Sequence, residues 1–187
     1  MRNKESGKGA GKRRLTAGEV ALARRVFGDA IDYARVRIIG RRYMPFQPKN
    51  CCMTPNGKLY FHHSRAHDDF SAQGVGLQHW FIHEMVHVWQ HQLGYPVRLR
   101  GALRVGLDYH YRLSAGATLA DFNMEAQGDL LADYFVLRLL GCADAMRWPD
   151  QAGDPSMFDQ VLAGFLAAPG QKRHLPRGLA SMLRRVN

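Results

Sequence analysis

The spacing of apolar residues changes character twice along the chain. Val20, Ala23, Val26, Phe27 and Ile31 recur every three or four positions, the period of one helical face. Thr16 followed by Glu19 has the spacing of a capping box and marks the start of that helix. From Ala34 to Arg41 the apolar residues alternate with arginines, which predicts a half-exposed strand. A proline loop follows, Pro45 to Pro48. Cys51-Cys52-Met53 and Leu59-Tyr60-Phe61 then flank Pro55-Asn56-Gly57, and Asn-Gly between apolar runs predicts a hairpin. The expected sheet is small, antiparallel and about three-stranded.

Beyond residue 70 the helical period returns. Val75 to Leu93 reads as a long helix stopped by Gly94 and Pro96. Leu119 to Leu140 reads as a second, closed by Gly141, with Thr118 or Asp121 as its cap. Met157 to Ala167 and Gly178 to Val186 predict two shorter helices. The layout is α+β, a small antiparallel sheet with a hairpin packed on a mainly helical domain, with no internal repeat.

Composition adjusts this picture in two places. With 187 residues, 46% hydrophobic and 22% charged, the chain has the make-up of one folded domain. No apolar run approaches the ~18 residues of a membrane-spanning helix. The net charge of +10 is unusual and suggests an anionic partner. Half of it lies in residues 1–14, where Arg2, Lys4, Lys8, Lys12, Arg13 and Arg14 face Glu5 alone. That segment predicts a disordered basic tail before a domain spanning 15–187. No apolar stretch follows its basic residues, so no secretory signal is expected and the chain is made in the cytoplasm. Cys51, Cys52 and Cys142 form no CxxC pair and read as buried thiols.

The first long helix contains His83-Glu84-Met85-Val86-His87, an HExxH motif. Positions i and i+4 share one helical face, so both imidazoles can reach one metal ion. Glu84 falls beside that ion, where a carboxylate can act as general base on an activated water. Trp80, Phe81, Ile82, Val88 and Trp89 give the motif an apolar setting. His79 and His91 continue the spacing of four, but such a row extends ~12 Å along the axis, too far for one ion. They read as flanking residues. The motif lacks the further histidine of the metzincin pattern.

A third ligand must come from elsewhere. Glu125, Asp129 and Asp133 recur at spacing four on the second long helix, which is otherwise apolar. Carboxylates on a buried helix are costly unless paired, and a zinc ion with its two histidines would pair them. Glu125 is the expected third ligand, completing a His-His-Glu site for one Zn²⁺ per chain. Asp129 can orient a zinc histidine through its other ring N–H, and Asp133 is a further candidate for such a contact. Tyr109 and His110 lie between the two helices. Either can donate to a developing oxyanion, and both also read as ordinary loop aromatics. His62, His63 and His67 read as loop histidines, with a second metal site as the alternative.

At these residues the sequence resembles the Vgr-related zinc metallopeptidases of bacteria, which include toxin domains attached to type VI secretion spike proteins. The resemblance rests on His83 to Gln90, Glu125-Ala126-Gln127 and Asp133-Tyr134-Phe135. It extends from about Arg24 to Leu140, through Arg35-Val36-Arg37 and the Pro45-Phe46-Gln47-Pro48 loop. It implies a zincin-like domain with zinc on His83, His87 and Glu125 and with Glu84 as base. It further implies a protein, peptide or peptidoglycan substrate and delivery by a secretion system. The sequence departs from the pattern at Gly128, a helix-weakening residue just after the ligand turn.

Two other functions compete. SprT-like proteases that act on nucleic acid share HExxH, but their third ligand is a histidine soon after the motif, and no suitable one occurs before His110, since His91 lies too far along the helix axis to share the ion. A non-catalytic, zinc-stabilised binding protein would have no need of Glu84. The charge, taken by segment, decides against nucleic acid as the main partner. Residues 15–59 carry +5 and 136–187 carry +3, whereas 60–135, holding both metal helices, carry −3. The basic periphery is left as a docking surface for a secretion spike or another anionic partner.

Overall fold

The computed structural model describes residues 11–103 and 107–177. The expected helix at 178–186 and the first ten residues of the basic tail lie outside them.

Helix α1, Ala17–Phe27, starts where the sequence places it. Thr16 accepts from the Glu19 amide and the Glu19 carboxylate accepts from the Thr16 amide, a complete capping box. Glu19 is fully buried and is the acceptor for more than its cap. Both guanidinium nitrogens of Arg13 donate to it at 2.7 Å, and the Phe70 amide donates at 2.9 Å. This buried ion pair holds Lys12–Arg13 in place as strand β1. The last residues of the predicted tail are therefore structured, because the Arg13 guanidinium is paired with that carboxylate.

Strand β1 pairs antiparallel with β2, Ile38–Ile39, and β2 pairs parallel with β3, Leu59–Tyr60. The sheet has three strands, as expected, but it is mixed rather than antiparallel. The predicted hairpin contracts to a single antiparallel bridge between Met53 and Tyr60. The reason lies in Gln47, a buried side chain whose amide donates to the carbonyls of Cys51 at 2.9 Å and Tyr60 at 2.8 Å. Its bond to Cys51 satisfies a carbonyl that the next pair of the ladder would otherwise use, while the Tyr60 carbonyl also accepts from the Met53 amide in the bridge. The turn itself forms, with Gly57 at φ +72°.

Helix α2, Val75–Gln92, runs through the middle of the domain, and every residue from Phe81 to Gln90 is buried. It is covered by α1 on one side and on another by α4, Met124–Tyr134. A short α3, Val97–Leu103, follows its end. The second long helix is not continuous. Thr118 caps a single 3₁₀ turn at Leu119–Asp121, Phe122 is extended, and Asn123 caps α4 through the Glu125 and Ala126 amides. The helix then widens into a π turn at Phe135–Leu139 and stops before Gly141, at φ +70°. Helix α5, Ser156–Ala167, closes the core, where Phe165 meets Trp89 at 5.3 Å and Phe27 at 6.2 Å between ring centres. No helix among the described residues is long and apolar enough to cross a membrane.

The Glu19 contacts make a quantitative expectation. Glu19→Ala strands the Arg13 guanidinium and two amides, and should lower the stability by about 3 kcal/mol in urea unfolding. Asp29→Ala removes the exposed pair with Arg24 and should cost less than about 1 kcal/mol.

Candidate metal centre

Helices α2 and α4 run antiparallel, and their polar rows interlock. Each step of four residues forward on α2 meets a step of four back on α4. His79 Nε2 meets Asp133 Oδ1 at 2.7 Å, His83 Nδ1 meets Asp129 Oδ1 at 2.7 Å, and His87 Nε2 meets Glu125 Oε2 at 3.3 Å. All six residues are buried. This is the pairing that makes carboxylates tolerable inside an apolar helix packing.

At the α4 end of this ladder three donor atoms converge. His83 Nε2 and His87 Nε2 are 3.2 Å apart, and Glu125 Oε2 lies 3.4 Å from the first and 3.3 Å from the second. Among the described residues, His83, His87 and Glu125 are the only such group able to hold a metal ion. Zinc bonds of ~2.0–2.1 Å at tetrahedral angles place neighbouring ligand atoms about 3.3–3.4 Å apart. The three residues therefore fit a tetrahedral zinc ion with its fourth position left over.

The protons on the two rings support the same reading. A carboxylate only accepts, so His83 Nδ1 carries the hydrogen that faces Asp129, and Nε2 is the nitrogen turned to the triad. His87 Nδ1 faces Gln90 Oε1 at 2.9 Å and is likewise the donor. Two lone pairs and a carboxylate oxygen at such distances repel unless a cation or protons lie among them. The electrostatics show this strain toward positive charge. Burial opposes ionisation of His83, but Asp129, Glu125 and Glu84 overcome it and push its pKa up to about 10. Burial likewise opposes the charge on Glu125, yet His87 and His83 hold its carboxyl well below the usual range.

Glu84 is buried beside the triad. Its Oε2 accepts from Thr54 Oγ1 at 2.6 Å, which aims the carboxylate. The Tyr109 ring, about half exposed, stacks on His83 at 6.1 Å and 17°. Burial and the charge of Glu125 push the Tyr109 hydroxyl above its ordinary pKa, so it stays a neutral donor at the mouth of the site.

The other candidates are placed differently. His110 packs edge-on against Trp148 at 4.5 Å and faces Asp150 at 3.6 Å, so its contacts are not with the triad. Asp133 serves neither His83 nor His87. It accepts from His79, from the Tyr111 hydroxyl at 2.7 Å and from the amides of Arg147 at 2.6 Å and Trp148 at 3.1 Å. That saturated carboxylate ties the loop after Gly141 to α4. The His62 and His63 rings pack against each other at 4.0 Å with a 40° tilt, and no second metal-holding cluster occurs among the described residues.

Gly128 acquires a clear cause. A β-carbon there would lie 2.6–2.9 Å from three atoms of the His83 ring. The helix gives up propensity so that the imidazole can lie flat against its backbone. Thr54, Gln90 and Trp148 were not legible as site residues. Trp148 Nε1 donates to Asp129 Oδ2 at 3.0 Å and so steadies the partner of His83. Only Gln90 carried a usable signal, an amide at i+3 from His87 within an apolar run.

Comparison with known proteins bears on the same region. No family model matches the chain. The type VI secretion system spike protein VgrG2b of Pseudomonas aeruginosa is 47% identical over 131 residues, covering 66% of this chain. The chain spans only 13% of that protein's length. The solved effector domain of Pseudomonas aeruginosa VgrG2b superposes with a TM-score of 0.67 at 41% identity. The match covers 83% of this chain and 86% of that one. At that identity and coverage, the chain belongs to the family of the VgrG2b effector domain.

Proposed function

We propose that this protein is a zinc-dependent metallopeptidase acting as a type VI secretion effector. The observation that carries the hydrolase is the triad itself, three donor atoms 3.2–3.4 Å apart beside a buried glutamate. The relationship to the VgrG2b effector domain supports the secretion context.

In this reading His83, His87 and Glu125 would hold the zinc. When bound, zinc lowers the pKa of a water toward ~7 and polarises the substrate carbonyl. Glu84 takes a proton from the attacking water and gives it to the leaving amine. Thr54 keeps Glu84 in the rotamer that faces the site by donating to Oε2. The Tyr109 hydroxyl donates to the oxygen that gains charge during attack. Asp129 holds His83 against rotation and fixes which ring nitrogen is free. The basic periphery is proposed to serve docking to a spike component, and the substrate is a protein, a peptide or a peptidoglycan cross-link.

Purified protein should carry about one zinc per chain by elemental analysis. Glu84→Gln should retain that zinc while turnover of a peptide library falls by roughly 10²–10⁴-fold. Equal turnover in the two proteins would sink the mechanism. Thr54→Val should lower kcat by about tenfold with zinc content unchanged, and Thr54→Ser should restore it, since only the hydroxyl is needed. Gly128→Ala should weaken zinc binding by roughly 10–100-fold by displacing His83, although alanine is the better helix former. Unaltered zinc affinity in that variant would refute the close-approach argument.

A further inference from the structure

We infer that Gln90 and Gln127 are positioning residues that set the tautomer of His87 through a one-way chain of amide hydrogen bonds. The inference rests on the zinc reading of the triad and extends it to residues that touch no substrate.

The chain begins at two backbone carbonyls. Gln127 Nε2 donates to Leu119 O at 2.8 Å and to His174 O at 3.0 Å. Carbonyl oxygens cannot donate, so the amide nitrogen of Gln127 must face them and its oxygen must face the other way. That oxygen accepts from Gln90 Nε2 at 2.9 Å. The second hydrogen on Gln90 Nε2 goes to Met124 O at 3.1 Å. Gln90 is thereby oriented as well, and its Oε1 must point to His87 Nδ1, at 2.9 Å. Nδ1 must then carry the ring hydrogen, and Nε2 is left with its lone pair among His83 and Glu125. Flipping either amide would set its oxygen against the carbonyl oxygens that its nitrogen now serves. Both glutamines are fully buried, so no solvent is at hand to repair such a mismatch.

The two ligand histidines are thus oriented by different chemistry. His83 is held by the carboxylate of Asp129, whereas His87 is held by a neutral amide. Glu84, Glu125 and Asp129 already surround the site with three carboxylates, and an amide at position 90 orients His87 without adding a fourth. The chain also reaches outward. His174 belongs to the turn Lys172–His174, beyond α5, so a segment 87 residues from His87 in sequence helps decide which of its nitrogens faces the triad.

The test uses the full chain as wild type, Gln90→Leu, Gln90→Glu and Gln127→Leu. Zinc affinity is measured by competition with a chromophoric chelator, and the visible spectrum is taken after loading with Co²⁺. Thermal unfolding of the metal-free proteins records whether each variant folds. Gln90→Leu should bind zinc roughly 10–100-fold more weakly than wild type and shift the Co²⁺ bands. Gln90→Glu keeps an acceptor for Nδ1–H but sets its second oxygen against Gln127 Oε1 and Met124 O, so its affinity should fall between those of Gln90→Leu and wild type. Gln127→Leu, one link further away, should show a smaller loss in the same direction, and it decides the question if Gln90→Leu does not fold. Wild-type affinity and an unshifted Co²⁺ spectrum in the folded leucine variants would overturn the relay alone. A wild-type protein that binds neither ion would overturn the zinc reading and the relay with it.

Discussion

The antiparallel packing of α2 on α4 places imidazoles opposite carboxylates inside an apolar interface, and the rest of the domain is arranged around that constraint. Buried charges of this kind are tolerated only when each finds a partner at hydrogen-bond distance. Here His79 finds Asp133, His83 finds Asp129, and His87 and His83 converge on Glu125. The first two rungs are closed ion pairs or hydrogen bonds. The last is open, since two ring nitrogens and a carboxylate oxygen face one another with no hydrogen fixed between them by any outside partner. In the proposed function, a zinc ion would close it.

The surroundings follow from keeping that rung in register. Gly128 brings the helix backbones close enough for the His83 ring to lie on α4. Trp148 spans the two acidic rungs, donating from its indole to Asp129 and from its amide to Asp133. The Asp133 carboxylate, saturated by four donors, fixes the loop that carries Trp148. From the sheet side, Thr54 reaches Glu84 from the turn that precedes β3. The small sheet contributes no member of the His83–His87–Glu125 triad, but it sets where Thr54 stands, and Gln47 sets the sheet's edge.

Much of the candidate site was legible because its spacing is that of a helix. His83 and His87 sit one turn apart, and Glu125 and Asp129 repeat that turn on another helix whose remaining residues are apolar. The cost of a buried carboxylate was enough to mark the second row before any partner was known. Asp133 obeyed the same period and yet belongs to a different network, because the period says which face a residue occupies and not which rung it meets. Thr54 was illegible for a related reason. It lies 30 residues from Glu84, and nothing local records that contact. Gly128 looked like a defect in the helix, since the ring it accommodates comes from elsewhere in the chain.

By itself, then, the sequence determined α1, α2 and α5, the capping box at Thr16, the α+β class and the pair of polar rows that one metal ion could join. These follow from local rules, the helical period and the cost of burying charge, that operate within a few residues. Tertiary structure alone decided that β2 and β3 pair in parallel, that Arg13 and Glu19 turn part of a basic tail into a strand, and that the two polar rows meet antiparallel in one register. It also separated Tyr109, stacked on His83, from its neighbour His110, held by Trp148 and Asp150. Those outcomes depend on contacts between groups tens of residues apart, where the choice of partner is set by packing and by the satisfaction of buried polar groups.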